Sequence, residues 1–288
     1  MDFEILQPGL EVINTIAGLS SLLKPRKLAQ QKIALVPTMG ALHKGHVSLV
    51  KIAQQHADVV VCSIFVNPTQ FTDPKDLEKY PRPLQHDIEM LQEAGCDYVF
   101  MPSVKEMYPV PENWHIDLGP AEFLLEGEFR RGHYQGVTQI VKKLFDAVDP
   151  DVAFFGQKDF QQVLMIRNMV AHFNLPVEII SCPIIREDDG LAMSSRNIHL
   201  SALEHEHALV LSKALAYVKD HFQTENIETL LKEAVAIIKR VEGVELDYFT
   251  IANSDTLLPE NDKAAKHLVA LVAAKVGETR LIDNMMLN

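Results

Sequence analysis

Runs of consecutive apolar, often β-branched residues recur along the first two thirds of this chain, at positions 33–36, 59–66, 98–101, 152–155 and 177–181. Each has the length of a strand and lacks the polar alternation of a half-exposed one, the pattern of strands covered on both faces. Between them, helical spacing occupies about 45–55, 84–94, 136–147 and 160–172, and Gly95 stops the second of these. Strand and helix in turn predict βαβ units, and so an α/β fold with a Rossmann-like doubly wound parallel sheet.

The texture changes after about residue 187. Ser201 and Glu204 have the spacing of a capping box before a helical stretch to about 222, a second helix follows at 227–241, and 246–252 and 268–274 read as strands. The expected organisation is therefore a domain at 1–187 and a smaller C-terminal α+β domain at 188–288. Two connectors, 67–82 and 102–135, lack periodicity and are long for a compact fold, which marks them as candidate lids.

Composition narrows the function. The 288 residues correspond to about two domains at roughly 150 residues each. With 27 Lys and Arg against 39 Asp and Glu, the formal charge is −12, which argues against nucleic acid as the main partner. A small anionic ligand stays compatible with that charge, because a few placed cations and a helix N-terminus hold one phosphate locally. Cys62, Cys96 and Cys182 are far apart in apolar runs and read as buried thiols, not a disulfide framework or zinc site. No basic leader followed by an apolar stretch and no membrane-length apolar run is visible, so the expectation is a soluble, cytoplasmic chain without a membrane partner.

The first strand runs into Pro37-Thr38-Met39-Gly40-Ala41-Leu42-His43-Lys44-Gly45-His46. This is the strand-to-helix junction where open α/β sheets bind ligands. Gly40 permits close backbone approach, the helix start offers free N–H groups, and His43 and His46 flank Gly45 so that both imidazoles can face one phosphate. A P-loop and G-x-G-x-x-G are both absent. Further along, Gly156-Gln157-Lys158-Asp159 follows another strand at the same sheet edge, with Lys158 as a mobile point charge. Met193-Ser194-Ser195-Arg196 brings two hydroxyls and a guanidinium suited to phosphate oxygens. Each has a plainer reading: capping histidines, a Lys-Asp pair opening a helix, and a Ser-Ser cap with a surface Arg.

The H-x-G-H segment resembles the signature of the nucleotidyltransferase superfamily. Residues 63–71, Tyr80-Pro81-Arg82, His133 to Val137, Phe155 to Gln162, Arg186-Glu187, Asp189 to Asn197 and Arg280-Leu281-Ile282-Asp283-Asn284, in that order, resemble the pantothenate synthetase (pantoate-β-alanine ligase) family. The resemblance implies ATP-dependent condensation of pantoate with β-alanine through a pantoyl adenylate, releasing pyrophosphate and AMP. It also implies a homodimer.

On that resemblance, His46, His43 and Lys158 are the catalytic set, with His46 as the family's proton donor. ATP is expected at Met39 to His46, Gly156 to Asp159, Ile185 and Met193 to Arg196, with contacts from both domains favouring closure over the nucleotide. Gln70 and Gln162 are expected to hold pantoate beside Pro37, Met39 and Phe65, and Gln70 also meets β-alanine. Asn67, Arg130 and His133 match positions near the site. Mg²⁺ is the implied cofactor, with Asp87 as its candidate protein ligand. The chain departs from the family at Arg131, Tyr134 and Gln157. The H-x-G-H motif alone would equally suit a simple nucleotidyltransferase or a nonenzymatic nucleotide-binding module.

Overall fold

A computed structural model describes residues 4–5 and 9–288. The chain divides into two compact units. Unit 1 takes the described residues up to Glu122, then Gly127–Gly156 and Gln162–Cys182; unit 2 takes Phe123–Glu126, Gln157–Gln161 and Pro183–Asn288. A single cut at 187 does not describe this partition, since two short pieces of the earlier chain pack with the C-terminal strands.

Unit 1 is built on β1 (Glu4–Ile5), β2 (Glu11–Ile13), β3 (Ile33–Thr38), β4 (Val59–Ile64), β5 (Tyr98–Phe100), β6 (Val152–Gly156) and β7 (Glu178–Cys182), in the spatial order β1-β2-β5-β4-β3-β6-β7. Six of them are parallel, and only β1 pairs antiparallel, with β2. Every residue of β4 is buried, as are all but Pro37 of β3 and all but Gly156 of β6. That burial on both faces is why these strands read as unbroken apolar runs. The register pairs Ile33 with Val59 through Thr38 with Ile64, and Ala34 with Val152. The strand order turns between β3 and β6: β4, β5 and β2 lie to one side, β7 to the other. That is the switch point at which such sheets bind ligands, at the carboxyl ends of the strands.

The connecting helices of unit 1 are α1 (Ile16–Leu28), α2 (Lys44–Ala53), α3 (Pro74–Lys79), α4 (Leu84–Glu93), α5 (Val104–Met107), α6 (Glu126–Phe129), α7 (His133–Val148) and α8 (Phe160–His172), of which α6 and α8 begin in residues assigned to unit 2. Sequence spacing misses α1, whose only buried residues are Leu19 and Leu23 and which carries Pro25 inside it. The two connectors read as structureless hold α3, α5, α6 and 3-10 turns at Pro68–Gln70 and Pro120–Phe123. At three to six residues each, these elements are too short to show a period. α7 starts at His133, three residues earlier than its spacing suggests, because Gly132 at φ +80 turns the chain into it.

In unit 2, β8 (Val244–Asn253), β9 (Leu268–Val276) and β10 (Thr279–Met286) form an antiparallel sheet in the order β10-β9-β8. Two helices, α9 (Ala202–His221) and α10 (Ile227–Lys239), share its core, with Leu211, Leu215, Leu230, Ile238 and Val272 nearly or wholly inaccessible. The Ser201 hydroxyl and Glu204 carboxylate form the reciprocal cap that starts α9. The sequence reading stops short of β10, although it marks Arg280 to Asn284 as a block. All three cysteines are buried and free, and burial pushes the Cys96 thiol up to about 12. Among the described residues no helix is long and apolar enough to cross a membrane.

Candidate active site

β3 ends at Thr38, whose hydroxyl donates to the Ser63 carbonyl (2.6 Å) and accepts from Gly40 N–H (3.2 Å). Beyond Met39, Gly40 at φ +79 and Ala41 at φ +50 both take the left-handed conformation. A side chain at Gly40 would stand 2.9 Å from Asp87 Oδ2 and 3.0 Å from Ile64 Cγ2, so glycine is needed for space as well as for φ. The Asp87 carboxylate reaches in from α4 and accepts from the amides of Ala41 (2.8 Å) and Leu42 (2.7 Å), one on each oxygen. Burial holds this carboxyl above its ordinary range, outweighing those two amide bonds.

Asp87 has no exposed surface, and each of its oxygens accepts one loop amide, so it anchors the loop. The expectation of free amides at this helix start is corrected: the N–H groups of Gly40, Ala41, Leu42, His43, Gly45 and His46 all donate within the chain.

The two histidines start α2 by capping each other's backbone. Gly45 N–H donates to His43 Nδ1 (3.1 Å), His43 N–H donates to His46 Nδ1 (3.3 Å), and the rings lie 4.1 Å apart. A ring nitrogen that accepts carries no proton, so both imidazoles are neutral with the proton on Nε2. The capping contacts hold both rings as N–H donors in fixed orientation. Lys44 is exposed between them.

β4 leads to a second polar group. Asn67, 1% exposed, donates to Gln70 Oε1 (3.1 Å) and to the Gly136 carbonyl (3.0 Å), while its own oxygen accepts from Tyr108 (2.7 Å). Gln70 Nε2 lies 2.9 Å from Met39 Sδ. His133 donates from Nδ1 to the Gln70 carbonyl (2.7 Å), which leaves Nε2 to accept from Arg130 (3.2 Å). α7 crosses the 68–70 turn so closely that a Cβ at Gly136 would fall 2.3 Å from the Thr69 carbonyl oxygen. Unit 1 thus brings Met39, Asn67, Gln70, Arg130 and His133 into one network. Arg82 instead closes the end of α3 by donating to the carbonyls of Leu77 (2.8 Å) and Tyr80 (2.7 Å). A cavity of about 500 Å³, lined by Met39, Gly40, Ile64, Phe65, Arg82 and Met101 among others, opens on the Asp87 side of the loop.

In unit 2, Gln157–Asp159 forms a 3-10 turn that leads into α8. Lys158 is half-exposed, and among the described residues no hydrogen bond or ion pair holds its ammonium. Of the two adjacent glutamines, Gln161 is 3% exposed and spends its amide on Glu126 N–H (3.1 Å) and the Leu124 carbonyl (2.8 Å). Gln162, assigned to unit 1, is half-buried, and no hydrogen bond of its amide is found among the described residues.

The 185–197 segment folds back on itself. Met193 N–H donates to the Ile185 carbonyl (3.0 Å), Arg186 bridges Ala192, and Ser194 caps the turn Ser195–His199 by accepting from Arg196 N–H (3.3 Å). Ile185 and Met193 to Arg196 are all half-buried. Sequence reasoning missed what supports them: Arg186 donates to both oxygens of Asp283 (2.6 and 3.0 Å), and the Asn284 side chain meets the 157–158 turn. The ordered R-L-I-D-N block was the available signal.

Comparison with known proteins adds an independent line. The family model described as pantoate-beta-alanine ligase matches residues 11–286. The chain is 46% identical over 277 residues to the pantothenate synthetase of Bacteroides fragilis, covering 96% of this chain and 98% of that one. It is 45% identical over 279 residues to that of Acetivibrio thermocellus, covering 96% and 99%. Among solved structures it resembles pantothenate synthetase from Thermus thermophilus with a TM-score of 0.91 at 41% identity, covering 96% of this chain and 99% of that one. It also resembles pantoate-beta-alanine ligase from Francisella tularensis, complexed with beta-gamma ATP and beta-alanine, with a TM-score of 0.77 at 35% identity, covering 96% and 97%.

Proposed function

This chain belongs to the pantoate-β-alanine ligase family, and from that premise we infer how its own residues carry the reaction. It is an ATP-dependent ligase that condenses pantoate with β-alanine, giving pantothenate, AMP and pyrophosphate. The observation that carries the reading is the H-x-G-H junction at the β3 carboxyl end, with both imidazoles locked as Nε2–H donors, in a chain that matches the family along 11–286.

In the first step a pantoate carboxylate oxygen attacks the α-phosphorus of ATP. The bond to the bridging oxygen of pyrophosphate breaks, leaving the pantoyl adenylate. Both reactants are anionic, so catalysis consists of alignment and of stabilising charge as it develops. His43 and His46 donate Nε2–H hydrogen bonds to phosphate oxygens, and Lys158 supplies a full positive charge. His46 acts as a hydrogen-bond donor and does not surrender its proton, since loss from a neutral ring would leave an imidazolate. Ser194, Ser195 and Arg196 hold further phosphate oxygens, and the backbone at Met39 to Leu42, Gly156 to Asp159, Ile185 and Met193 borders the nucleotide. Mg²⁺, which commonly needs few protein ligands, would offset charge on the triphosphate when bound.

Gln70 and Gln162 hold pantoate, whose hydroxyls need both donors and acceptors. Gln70 is oriented from both ends, by Asn67 at its amide and by His133 at its carbonyl. In the second step the β-alanine nitrogen, deprotonated before it attacks, adds to the acyl carbon beside Gln70 and AMP leaves. The Francisella relative, solved with a nucleotide and β-alanine, supports both as ligands of this chain. Replacing Lys158 or His46 by Ala should lower adenylate formation by about a hundredfold or more while the circular dichroism stays native. Near-native turnover in either variant removes that residue from the mechanism.

A further inference from the structure

We propose that Asn284 is the positioning residue for Lys158, so that the R-L-I-D-N run of β10 serves adenylate formation and not the sheet alone. The proposal rests on the assignment of Lys158 to the phosphates given above.

Asn284 is 2% exposed. Its Nδ2 donates to two consecutive carbonyls, Gln157 at 3.0 Å and Lys158 at 2.9 Å, and its Oδ1 accepts from Gln157 Nε2 at 3.2 Å. Both amide hydrogens are therefore spent on the main chain of the turn that carries the lysine. Two donors and an acceptor on one short side chain are a property of a primary amide: serine has one donor, an ionised aspartate none, and glutamine is one methylene too long.

Asn284 is itself held. Its N–H donates to Asp283 Oδ1 (2.8 Å), and Asp283, 4% exposed, takes both terminal nitrogens of Arg186. The same Arg186 donates to the Gly190 carbonyl (3.1 Å), inside the fold-back that ends in Ser194 to Arg196. One strand thus braces two of the expected phosphate-binding segments.

Lys158 needs such a brace. No partner among the described residues fixes its ammonium, and its stem has four rotatable bonds, so the space its charge can reach is set by where the 157–158 backbone stands. Displacing a catalytic group by about 1 Å costs about a hundredfold in rate. A purely structural asparagine would instead cost stability and leave the chemical step alone.

The test is a double-mutant cycle in the full chain, read by pantoate-dependent exchange of pyrophosphate into ATP. Asn284→Asp is nearly isosteric but removes both donors and turns an anion toward two carbonyls. Its exchange kcat should fall at least about tenfold, with a smaller change in the KM for ATP. In a Lys158→Ala background the same substitution should change the rate by less than about twofold. Leu230→Ala, in the core of unit 2, should lower the melting temperature and leave kcat within about twofold.

An Asn284→Asp enzyme as fast as the native one overturns the proposal, as does an equal loss with Lys158 absent, or a loss matched by Leu230→Ala at the same melting temperature. If Asn284→Asp does not fold, Asn284→Ser, which keeps one donor, carries the same cycle with the same criteria. Near-native exchange in Lys158→Ala alone refutes the assignment of the lysine itself, and is read separately from the cycle.

Discussion

Asp87 and Gly136 show how much of this site is decided by single atoms. A sequence shows the Asp87 carboxylate's presence but not what it already holds; here it holds two amides of the loop that presents the histidines. Asp87→Asn keeps one acceptor but sets an NH₂ group against the other amide. It should cost about 1–3 kcal/mol in urea unfolding and lower turnover by loosening the loop. The pH dependence has a definite sign. Because burial raises the Asp87 pKa in the folded chain, the folded state binds this proton more tightly than the unfolded one, and the group's contribution to stability falls as pH rises from its ordinary value of 3.8 through the raised one. The penalty of Asp87→Asn should therefore shrink as pH rises above 3.8 in paired unfolding titrations; a penalty that grows would contradict the assignment. Gly136→Ala forces a methyl group onto the Thr69 carbonyl and should destabilise the chain by about 1–3 kcal/mol. It should also raise the KM for pantoate, since the displaced turn carries Gln70.

At the scale of elements, the strands that build the sheet's centre were legible because double-sided burial writes itself as an apolar run. The candidate loops at the carboxyl ends of β3 and β6 stood out because phosphate chemistry restricts the residue types that suit it. What was not legible has a physical cause in each case. Helix α1 buries too little to show a stripe, and α3, α5 and α6 are too short to show a period. The tautomers of His43 and His46 depend on backbone N–H directions that no spacing reveals. The tie of Phe123–Glu126 to the C-terminal strands rests on an ion pair between residues 154 positions apart: Glu126 accepts from both terminal nitrogens of Arg280 (2.6 and 2.7 Å) and from Tyr248 (3.0 Å), while Arg280 Nε donates to Asp247 (2.7 Å). Burial works against the Arg280 charge, but Glu126 and Asp247 outweigh it and hold its pKa above the ordinary arginine value. Arg280→Met strands a buried carboxylate and should cost about 3–5 kcal/mol, whereas Glu126→Leu with Arg280→Met should recover part of that loss. Equal destabilisation of the single and double variants in chemical unfolding would show that the pair is not what secures the segment.

For the whole molecule, the charge of −12 acquires a sharper meaning. An acidic chain that binds ATP and pantoate cannot rely on its overall field to attract them. With the two imidazoles neutral, the local positive charge assigned to the phosphates falls to Lys158 and Arg196, and the histidines contribute directed hydrogen bonds. The homodimer implied by the family resemblance is checked by light scattering, where a mass of twice 32.4 kDa is expected and a mass of 32.4 kDa counts against it. The central claim, that this chain activates pantoate as an adenylate before the amine enters, is tested most directly by incubating it with ATP, Mg²⁺ and labelled pyrophosphate without β-alanine. Label should enter ATP when pantoate is present and not otherwise. Exchange without pantoate, or none with it, would contradict the account.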